Sequence, residues 1–277
     1  MSGSLWLVVN RASGSFSPEL VEAVQAALAG AGRPPARVVE AQEGKVSPGL
    51  LDSAGVDTLV VMAGDGTVNG VATALEGWGG ALLVLPGGTA NLLARALHGE
   101  EDAPAIAARI AGMRRQRRPC IRWSGGTALV EVLAGPGAEW SEVREGLREG
   151  AIAPIAEKAA KAIRESTSGA MVALVDPPLG NPAGYRGLRL GLSGEAMAVE
   201  GYGAETLADY FKQGLALLRR NFREGPHDDL GTHGAVLCRS LGREGLALMV
   251  DGEKREGGRQ ERFSLAPFAL DLLVTVP

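Results

Sequence analysis

The sequence is poor in the residues that build disulfide frameworks and zinc sites. Its 277 residues contain two cysteines, Cys120 and Cys238, which do not form a Cys-x-x-Cys pair. Its three histidines, His98, His227 and His233, do not have the spacing of a metal-binding motif. A disulfide-stabilised scaffold and a zinc knuckle are therefore excluded as explanations of the fold.

The chain also lacks long apolar runs and a strong charge of one sign. No run of about 18 apolar residues is present to span a membrane. The first ten residues lack the basic and apolar regions of a signal peptide. Lys plus Arg number 28 and Asp plus Glu 32, which gives a net charge of −4. These features predict a soluble, cytoplasmic protein with no nucleic-acid partner, and they leave the oligomeric state open.

Apolar strands and helical segments alternate regularly in the first part of the chain. The predicted strands cover residues 5–10, 36–41, 57–64 and 81–86, and the predicted helices cover 18–30, 47–55, 68–75 and 90–97. The strands are continuous apolar runs, which is expected of a parallel sheet that is covered on both faces. The alternation predicts an open, doubly wound α/β domain.

After about residue 112 the pattern changes to short strands. Helical patterns then occur only near residues 141–165 and 204–220. We therefore predict two domains, an α/β domain over residues 1–115 and a mainly-β domain over residues 116–277.

Three loops follow predicted strands at the edge of the sheet where ligands bind. They are NRASGS (10–15), AGDGTVN (63–69) and PGGTAN (86–91), and each combines glycine, a hydroxyl group and asparagine. Glycine lets the backbone approach an anion, and the N-terminus of the following helix attracts phosphate. We expect the three loops to converge on one crevice at the carboxyl ends of the strands.

Two common phosphate-binding motifs are absent. The chain's Gly-Lys pair, Gly44-Lys45, is followed by Val46 and does not form a Walker A motif. Gly64, Gly66 and Gly70 give Gly-x-Gly-x-x-x-Gly, which differs from the dinucleotide fingerprint of Rossmann folds. The sequence therefore argues against both a P-loop protein and ordinary NAD binding.

Asp65, between two glycines, has two interpretations. A carboxylate beside phosphate fits if Mg²⁺ bridges the two, directly or through water. The same carboxylate could instead cap the helix that begins near Val68. The presence of the two other loops favours the first interpretation.

These motifs resemble those of a known family. AGDGTVNGV (63–71) followed by LPGGTANLLAR (85–95) is similar to the catalytic domain of the diacylglycerol kinase and sphingosine kinase superfamily. VVNRASGS (8–15) resembles the opening motif of that family, and LMVDGEK (248–254) resembles its late Asp-Gly-Glu motif. The resemblance implies a nucleotide-binding α/β domain and a β-sandwich domain with the active site in the cleft. It also implies transfer of the γ-phosphate of ATP, with Mg²⁺, to the hydroxyl group of a lipid or amphipathic molecule.

The resemblance also implies roles for individual residues. Asp65 would join a Mg²⁺-linked polar network, and Asp251 would be the general base with Glu253 beside it. Asp228 and Asp229 would be candidate ligands of a second, structural Mg²⁺. The implied nucleotide-contacting residues are Asn10, Ser13, Gly64, Asp65, Gly66, Thr67, Asn69, Gly88, Thr89 and Asn91.

Several positions depart from the family pattern, namely Glu40, Ala63, Gly70, Leu92 and His233. They leave two alternatives open. One is an NAD kinase-like enzyme, although GGTANLLAR points to the lipid branch. The other is a catalytically impaired member of the same fold that binds nucleotide or lipid.

Two basic segments could bring the chain to the inner membrane surface. The arginine-rich stretch 114–119 could contact anionic headgroups, and residues 207–223 could form an amphipathic surface helix. A solvated domain junction and a packed helix are the simpler interpretations of these two segments.

Overall fold

A computed structural model of the chain describes residues 3–13, 16–41, 46–136, 170–203 and 227–275. The chain divides into two compact units, which are Met1–Arg118 with Pro267–Pro277, and Pro119–Ala266. The helices predicted near 141–165 and 204–220 lie outside the described residues. No helix within the described ranges has both the length and the hydropathy needed to cross a bilayer.

The first unit alternates strands and helices, as the sequence predicts. In chain order, its elements are β1 (Ser4–Val9), α1 (Pro18–Gly30), β2 (Arg37–Glu40), α2 (Pro48–Ser53), β3 (Val56–Ala63), α3 (Asp65–Ala74), β4 (Ala81–Pro86), α4 (Leu92–His98), α5 (Ala103–Ala108), a 3-10 turn (Ile110–Gly112), β5 (Arg114–Gln116) and, near the end of the chain, β18 (Asp271–Val274).

The strands of this unit form one sheet in the order β2-β1-β3-β4-β18-β5. All neighbouring pairs are parallel except β18 with β5. Leu7, Val60 and Leu83 of the central strands share a core with Val24 of α1 and Ile106 of α5, and all five are fully buried. The predicted parallel α/β architecture is confirmed.

The end of the chain belongs to the first unit, which corrects the predicted domain bounds. The sequence placed 116–277 in a second domain, but Asp271–Val274 pairs with β4 and β5. The first unit also extends to Arg118. A strand of four residues carries no local signal for a partner that lies far away in the chain, so the alternation pattern could not show this pairing.

The described residues of the second unit are built almost entirely of strands. In chain order, its elements are β6 (Pro119–Trp123), β7 (Gly126–Ala128), β8 (Glu131–Ala134), β9 (Val172–Asp176), β10 (Pro178–Leu179), β11 (Gly187–Ser193), β12 (Ala196–Tyr202), β13 (Asp228–His233), β14 (Ala235–Ser240), β15 (Ala247–Val250), β16 (Glu253–Glu256) and β17 (Gln260–Pro267).

These strands form two sheets in the described residues. One has the order β10-β9-β14-β17-β6-β7 and the other β13-β12-β11-β8-β15-β16. Ile121 and Phe263 of the first sheet pack in one core with Val132, Leu190 and Val250 of the second. Two sheets that share a core in this way form a sandwich, so the predicted mainly-β, sandwich-like architecture is confirmed.

Candidate functional site

The three glycine-containing loops of the first unit are joined to one another by side-chain hydrogen bonds. They follow β1, β3 and β4, which are adjacent and parallel, so the loops lie at the same edge of the sheet. Asn10 Nδ2 donates to Thr67 Oγ1 at 3.1 Å, which links the first loop to the second. Ser13 Oγ donates to the carbonyl oxygen of Gly87 at 2.6 Å, which links the first loop to the third.

Asp65 links the second loop to the third. Its side chain is buried, and its carboxylate accepts hydrogen bonds from the backbone N–H groups of Asn91 (3.0 Å) and Leu92 (2.6 Å). Asp65 is the first residue of α3, yet these N–H groups lie at the start of α4. The carboxylate therefore caps a neighbouring helix. The capping interpretation was wrong about which helix is capped, because α3 begins at Asp65 itself and not near Val68.

Asn91 fixes the shape of the third loop. It adopts a left-handed backbone conformation with φ of 52°, which asparagine tolerates better than most residues. Its Oδ1 accepts from the N–H groups of Gly87 (3.1 Å) and Gly88 (2.8 Å). Its Nδ2 donates to the carbonyl oxygen of Gly88 at 2.9 Å. The Asn91 side chain thus replaces the secondary-structure partners that this turn lacks.

Glycine is needed in the third loop because the second loop comes very close. A Cβ atom on Gly88 would lie 2.5 Å from the Cα atom of Gly64. A Cβ atom on Gly87 would lie 2.6 Å from the backbone nitrogen of Ala63. Both distances are too short for real atoms, so any larger residue would push the loops apart. These two glycines make room for protein backbone, where the sequence suggested room for an anion.

The N-terminus of α3 is the part of this site that can receive an anion. The helices α1, α2 and α5 each carry a side-chain cap from the residue before them, namely Ser17, Ser47 and Asp102. In contrast, α3 begins after Gly64 and has no side-chain cap hydrogen bond. The N–H groups of its first turn and the positive end of its dipole suit a phosphate group. This geometry fits a nucleotide phosphate.

The other predicted nucleotide-contacting residues surround this helix start. Gly66, Thr67 and Asn69 lie in the first turns of α3 and are half-buried, while Thr89 in the third loop is exposed. Thr67 accepts a hydrogen bond from Asn10 and keeps its own hydroxyl proton for donation. The structure brings the predicted residues of the first unit together, and their role in binding ATP stays a prediction.

Residues 4–121 match the diacylglycerol kinase catalytic domain family. The matched segment contains all three loops, so the resemblance predicted from their motifs is confirmed for this part of the chain. The fold of the whole chain is similar to three structures from Bacillus anthracis str. Sterne that are named as diacylglycerol kinases, two of them only provisionally.

The identities to these structures are 16%, 16% and 15%, with TM-scores of 0.62, 0.63 and 0.62. Each alignment covers 99% of this chain and 97% of the other. At such identities the likeness shows the shared fold alone. No curated protein sequence matches this chain.

Outside the matched kinase domain, Asp251 lies in a tight hairpin turn between β15 and β16. Asp251 and Gly252 have φ of 46° and 82°, as in the two-residue turns with positive φ that Asp-Gly favours. The Asp251 carboxylate is buried and accepts hydrogen bonds from backbone N–H groups of residues 129–131. Glu253 follows as the first residue of β16 and is half-buried. The catalytic roles of both residues stay predictions.

Asp228 and Asp229 are consecutive residues of β13. The Asp228 carboxylate accepts from the Tyr185 hydroxyl at 2.7 Å, and Asp229 accepts from the N–H of Gly231 at 2.9 Å. Side chains of consecutive strand residues point to opposite faces, so the two carboxylates do not face one ion. Within the described ranges, no group of three or more His, Cys, Asp or Glu side chains could hold a metal ion. The second Mg²⁺ site therefore stays a prediction.

A cavity of about 300 Å³ opens beside Asn91 and was not predicted from the sequence. Leu20, Pro86 and Ala94 contribute apolar atoms to its lining, and Arg95 also lines it. Arg95 forms an ion pair with Glu100 at 3.2 Å. Its place at the end of LPGGTANLLAR in the matched kinase domain is the one sequence signal that could have drawn attention to this cavity.

Proposed function

We propose that this protein is a lipid kinase that transfers the γ-phosphate of ATP, with Mg²⁺, to a hydroxyl group of a lipid. The observation that carries the proposal is the open N-terminus of α3, at the centre of three interlocked loops within the matched kinase domain. Phosphoryl transfer depends mainly on positioning and on neutralising negative charge. The uncapped start of α3 can position a phosphate group and partly neutralise its negative charge.

Different residues of the first unit would bind the phosphate and hold the loops in position. The N–H groups of the first turn of α3 and the hydroxyl of Thr67 would bind phosphate oxygens. Asp65, Asn10 and Ser13 would hold the loops in place, as their hydrogen bonds indicate. Bound Mg²⁺ would neutralise phosphate charge and is usually held by few carboxylates and several waters, so it needs no closed protein cage. The Asp65 carboxylate fits a role at the edge of such an ion's water shell.

A second candidate function is nucleotide binding without phosphate transfer. The arrangement of Asp228 and Asp229 favours this candidate, because their side chains do not converge on one ion. Such a protein would bind ATP through the same loops of the first unit. Transfer of phosphate to a lipid separates the two functions, since both require nucleotide binding.

The test measures transfer of radiolabelled γ-phosphate from ATP and Mg²⁺ to extracted lipids in mixed micelles, with NAD as a separate acceptor. A labelled lipid supports the lipid kinase, and labelled NAD supports an NAD kinase-like enzyme instead. ATP binding by calorimetry without any labelled product supports the non-catalytic candidate. If ATP binding is undetectable, the lipid kinase, the NAD kinase-like enzyme and the non-catalytic nucleotide-binding protein are all refuted.

Two glycine substitutions test whether ATP binds at the three loops. Gly88→Ala places a Cβ atom 2.5 Å from Gly64, so we expect it to lower ATP affinity at least about tenfold. Gly70→Ala is the matched control, since its Cβ atom would meet nothing within 4 Å. This control should keep wild-type ATP affinity. Equal ATP affinity in both variants would show that the nucleotide binds elsewhere.

A further inference from the structure

The carboxylate of Glu40 lies at the edge of the sheet that carries the three loops, and phosphate binding at α3 gives it no role. Glu40 is the last residue of β2, and it pairs with Val9, the last residue of β1. We propose that Glu40 binds a ribose hydroxyl group of the nucleotide, so that the site selects ribonucleotides over deoxyribonucleotides. This inference rests on the proposed nucleotide binding at the loops and assigns the part of the site that receives the sugar.

Glu40 lies beside the point where the strand order of the sheet reverses. The order β2-β1-β3-β4 means that the chain passes from β1 to β2 on one side and from β3 to β4 on the other. Val9 pairs with both Glu40 and Met62, so the ends of the three strands lie level. Two strand spacings, about 10 Å, separate Glu40 from the strand that leads into α3. Ligands of open α/β sheets bind at such a reversal, where an acidic residue commonly hydrogen-bonds to the ribose of a dinucleotide.

Arg11 of the first loop holds the Glu40 carboxylate in place. Arg11 Nε forms an ion pair with Oε1 of Glu40. The Arg11 guanidinium also lies over the ring of Phe16, with Cζ 6.0 Å from the ring centroid. The backbone ties the same two strand ends together, because the N–H of Ala41 donates to the carbonyl oxygen of Val9 at 2.8 Å. Side chains and backbone therefore both fix Glu40 beside the first loop.

The Glu40 carboxylate keeps most of its capacity to accept hydrogen bonds. Among the described residues, the ion pair with Arg11 is the one polar contact of its side chain. The Glu40 side chain is only 18% exposed, whereas that of Arg11 is 72% exposed. A carboxylate that is largely withdrawn from water gains from any donor that reaches it. A ribose hydroxyl group is such a donor, and an ionised carboxylate can only accept.

The ion pair also limits repulsion between Glu40 and the phosphates of a nucleotide. The positive charge of Arg11 offsets the negative charge of Glu40, so the pair as a whole is neutral. Ribose is uncharged and carries hydroxyl donors, which makes it the part of a nucleotide that a carboxylate can contact. A site that hydrogen-bonds to a hydroxyl group discriminates strongly against the analogue that lacks it, because the acceptor is then left unpaired. Glu40 therefore gives the site a means to recognise ribose.

The test measures the affinity of the full chain for ATP, 2′-deoxy-ATP and 3′-deoxy-ATP by calorimetry, each with Mg²⁺. For the wild type we expect at least one deoxynucleotide to bind at least about tenfold more weakly than ATP. In Glu40→Ala the affinities for ATP and for that deoxynucleotide should agree to within about twofold. Loss of a negative charge, or of part of the folded protein, changes the affinity for all three nucleotides alike. Such effects cancel in the ratio of affinities, and only loss of a bond to the sugar changes that ratio.

Variants at two other positions complete the test. Glu22→Ala is the matched control, because it removes an exposed carboxylate from α1 of the same unit, and it should keep the wild-type ratio. Arg11 is a positioning residue in this proposal, since it acts on the sugar through Glu40. Arg11→Ala should therefore lower the ratio, and Arg11→Lys, which keeps the positive charge, should restore part of it. An unchanged ratio in Arg11→Ala would refute the role of Arg11.

Failure of this inference can be told apart from failure of the proposed function. If the wild type binds ATP and both deoxynucleotides equally, or if the ratio survives Glu40→Ala, the role of Glu40 is overturned while nucleotide binding stands. If ATP does not bind at all, the proposed function and this inference are refuted together. Selective binding of ribonucleotides without phosphate transfer would support the role of Glu40 and count against the kinase.

Discussion

Substitution of Asp65 by alanine distinguishes two roles of its carboxylate, which are to cap α4 and to act on a bound Mg²⁺ ion. In the structure, Asp65 joins the start of α3 to the start of α4 through the N–H groups of Asn91 and Leu92. Alanine removes both acceptors and leaves the α4 N-terminus without its cap. Because the Asn91 side chain holds Gly87 and Gly88, loss of the cap should also loosen the third loop.

The size of the effect follows from the two hydrogen bonds. A hydrogen bond to a charged group contributes about 1.5–3 kcal/mol, and a helix cap about 1 kcal/mol. Asn91 and Leu92 are half-buried, so water can replace part of the loss. We expect Asp65→Ala to lower the free energy of unfolding of the first unit by about 2–4 kcal/mol. Asp65→Asn keeps one acceptor oxygen and should lose about half as much.

The assay combines amide exchange of residues 87–97 with calorimetric titration of ATP, with and without Mg²⁺. Asp102→Ala is the matched control, since Asp102 caps α5 with a single exposed hydrogen bond to Ala105 at 2.8 Å. This control should cost about 1 kcal/mol and leave ATP affinity unchanged. Asp65→Ala should speed amide exchange and weaken ATP binding in both titrations.

Two outcomes would refute this reasoning. If Asp65→Ala costs no more than Asp102→Ala and ATP still binds normally, the link between α3 and α4 does not stabilise the site. If amide exchange is unchanged and only the Mg²⁺-dependent part of ATP binding is lost, Asp65 acts on the metal ion and not on the loop.

Two further predictions concern a buried histidine and a partly buried ion-pair cluster. Burial lowers the pKa of His98 to about 4 from 6.5, so the unfolded chain binds a proton that the folded chain does not. Stability should therefore fall by about 3 kcal/mol as the pH drops from 6.5 to 4, and His98→Gln should lack this part of the pH dependence in urea unfolding. Arg189 pairs with Glu131 and Glu200, and all three are half-buried. Arg189→Leu leaves two carboxylates without their cation. Because water reaches part of these side chains, calorimetry should show a loss of about 2–3 kcal/mol, below the range for a fully buried pair, and an unchanged unfolding midpoint would contradict it.

Much of the first unit could be predicted because local signals and burial coincide there. The apolar runs of β1, β3 and β4 are buried along nearly their whole length. Ser17 and Ser47, each followed by proline, cap α1 and α2 as the Ser-Pro pattern indicates. The alternation of strands and helices also predicts that the three loops lie close together, since adjacent parallel strands end at one edge of the sheet.

Other features depend on partners that lie far away in the chain. The sequence shows that Asp65 is a carboxylate in a loop, but its acceptor role depends on N–H groups of residues 91 and 92. Likewise, the strand Asp271–Val274 is a short apolar run, and it pairs with β4 although Asp271 and its partner Ala81 lie far apart in the chain. Residue type and periodicity carry no information on such partners, because hydrogen bonds of this kind form only once the sheet has set the register.

The hydrogen bonds among the loops also bear on how the site binds a ligand. Asn10 donates a hydrogen bond to Thr67, and Ser13 donates one to the carbonyl oxygen of Gly87. Asp65 accepts one from the N–H at the start of α4, so each loop is bonded to at least one other. The described residues of the loops are therefore held by other parts of the protein, so a bound nucleotide would not need to supply the entropy of ordering them. The same linkage means that loss of one bond moves groups in a second loop. Substitutions in different loops should then act on ATP affinity together and not additively, as residues within one network do.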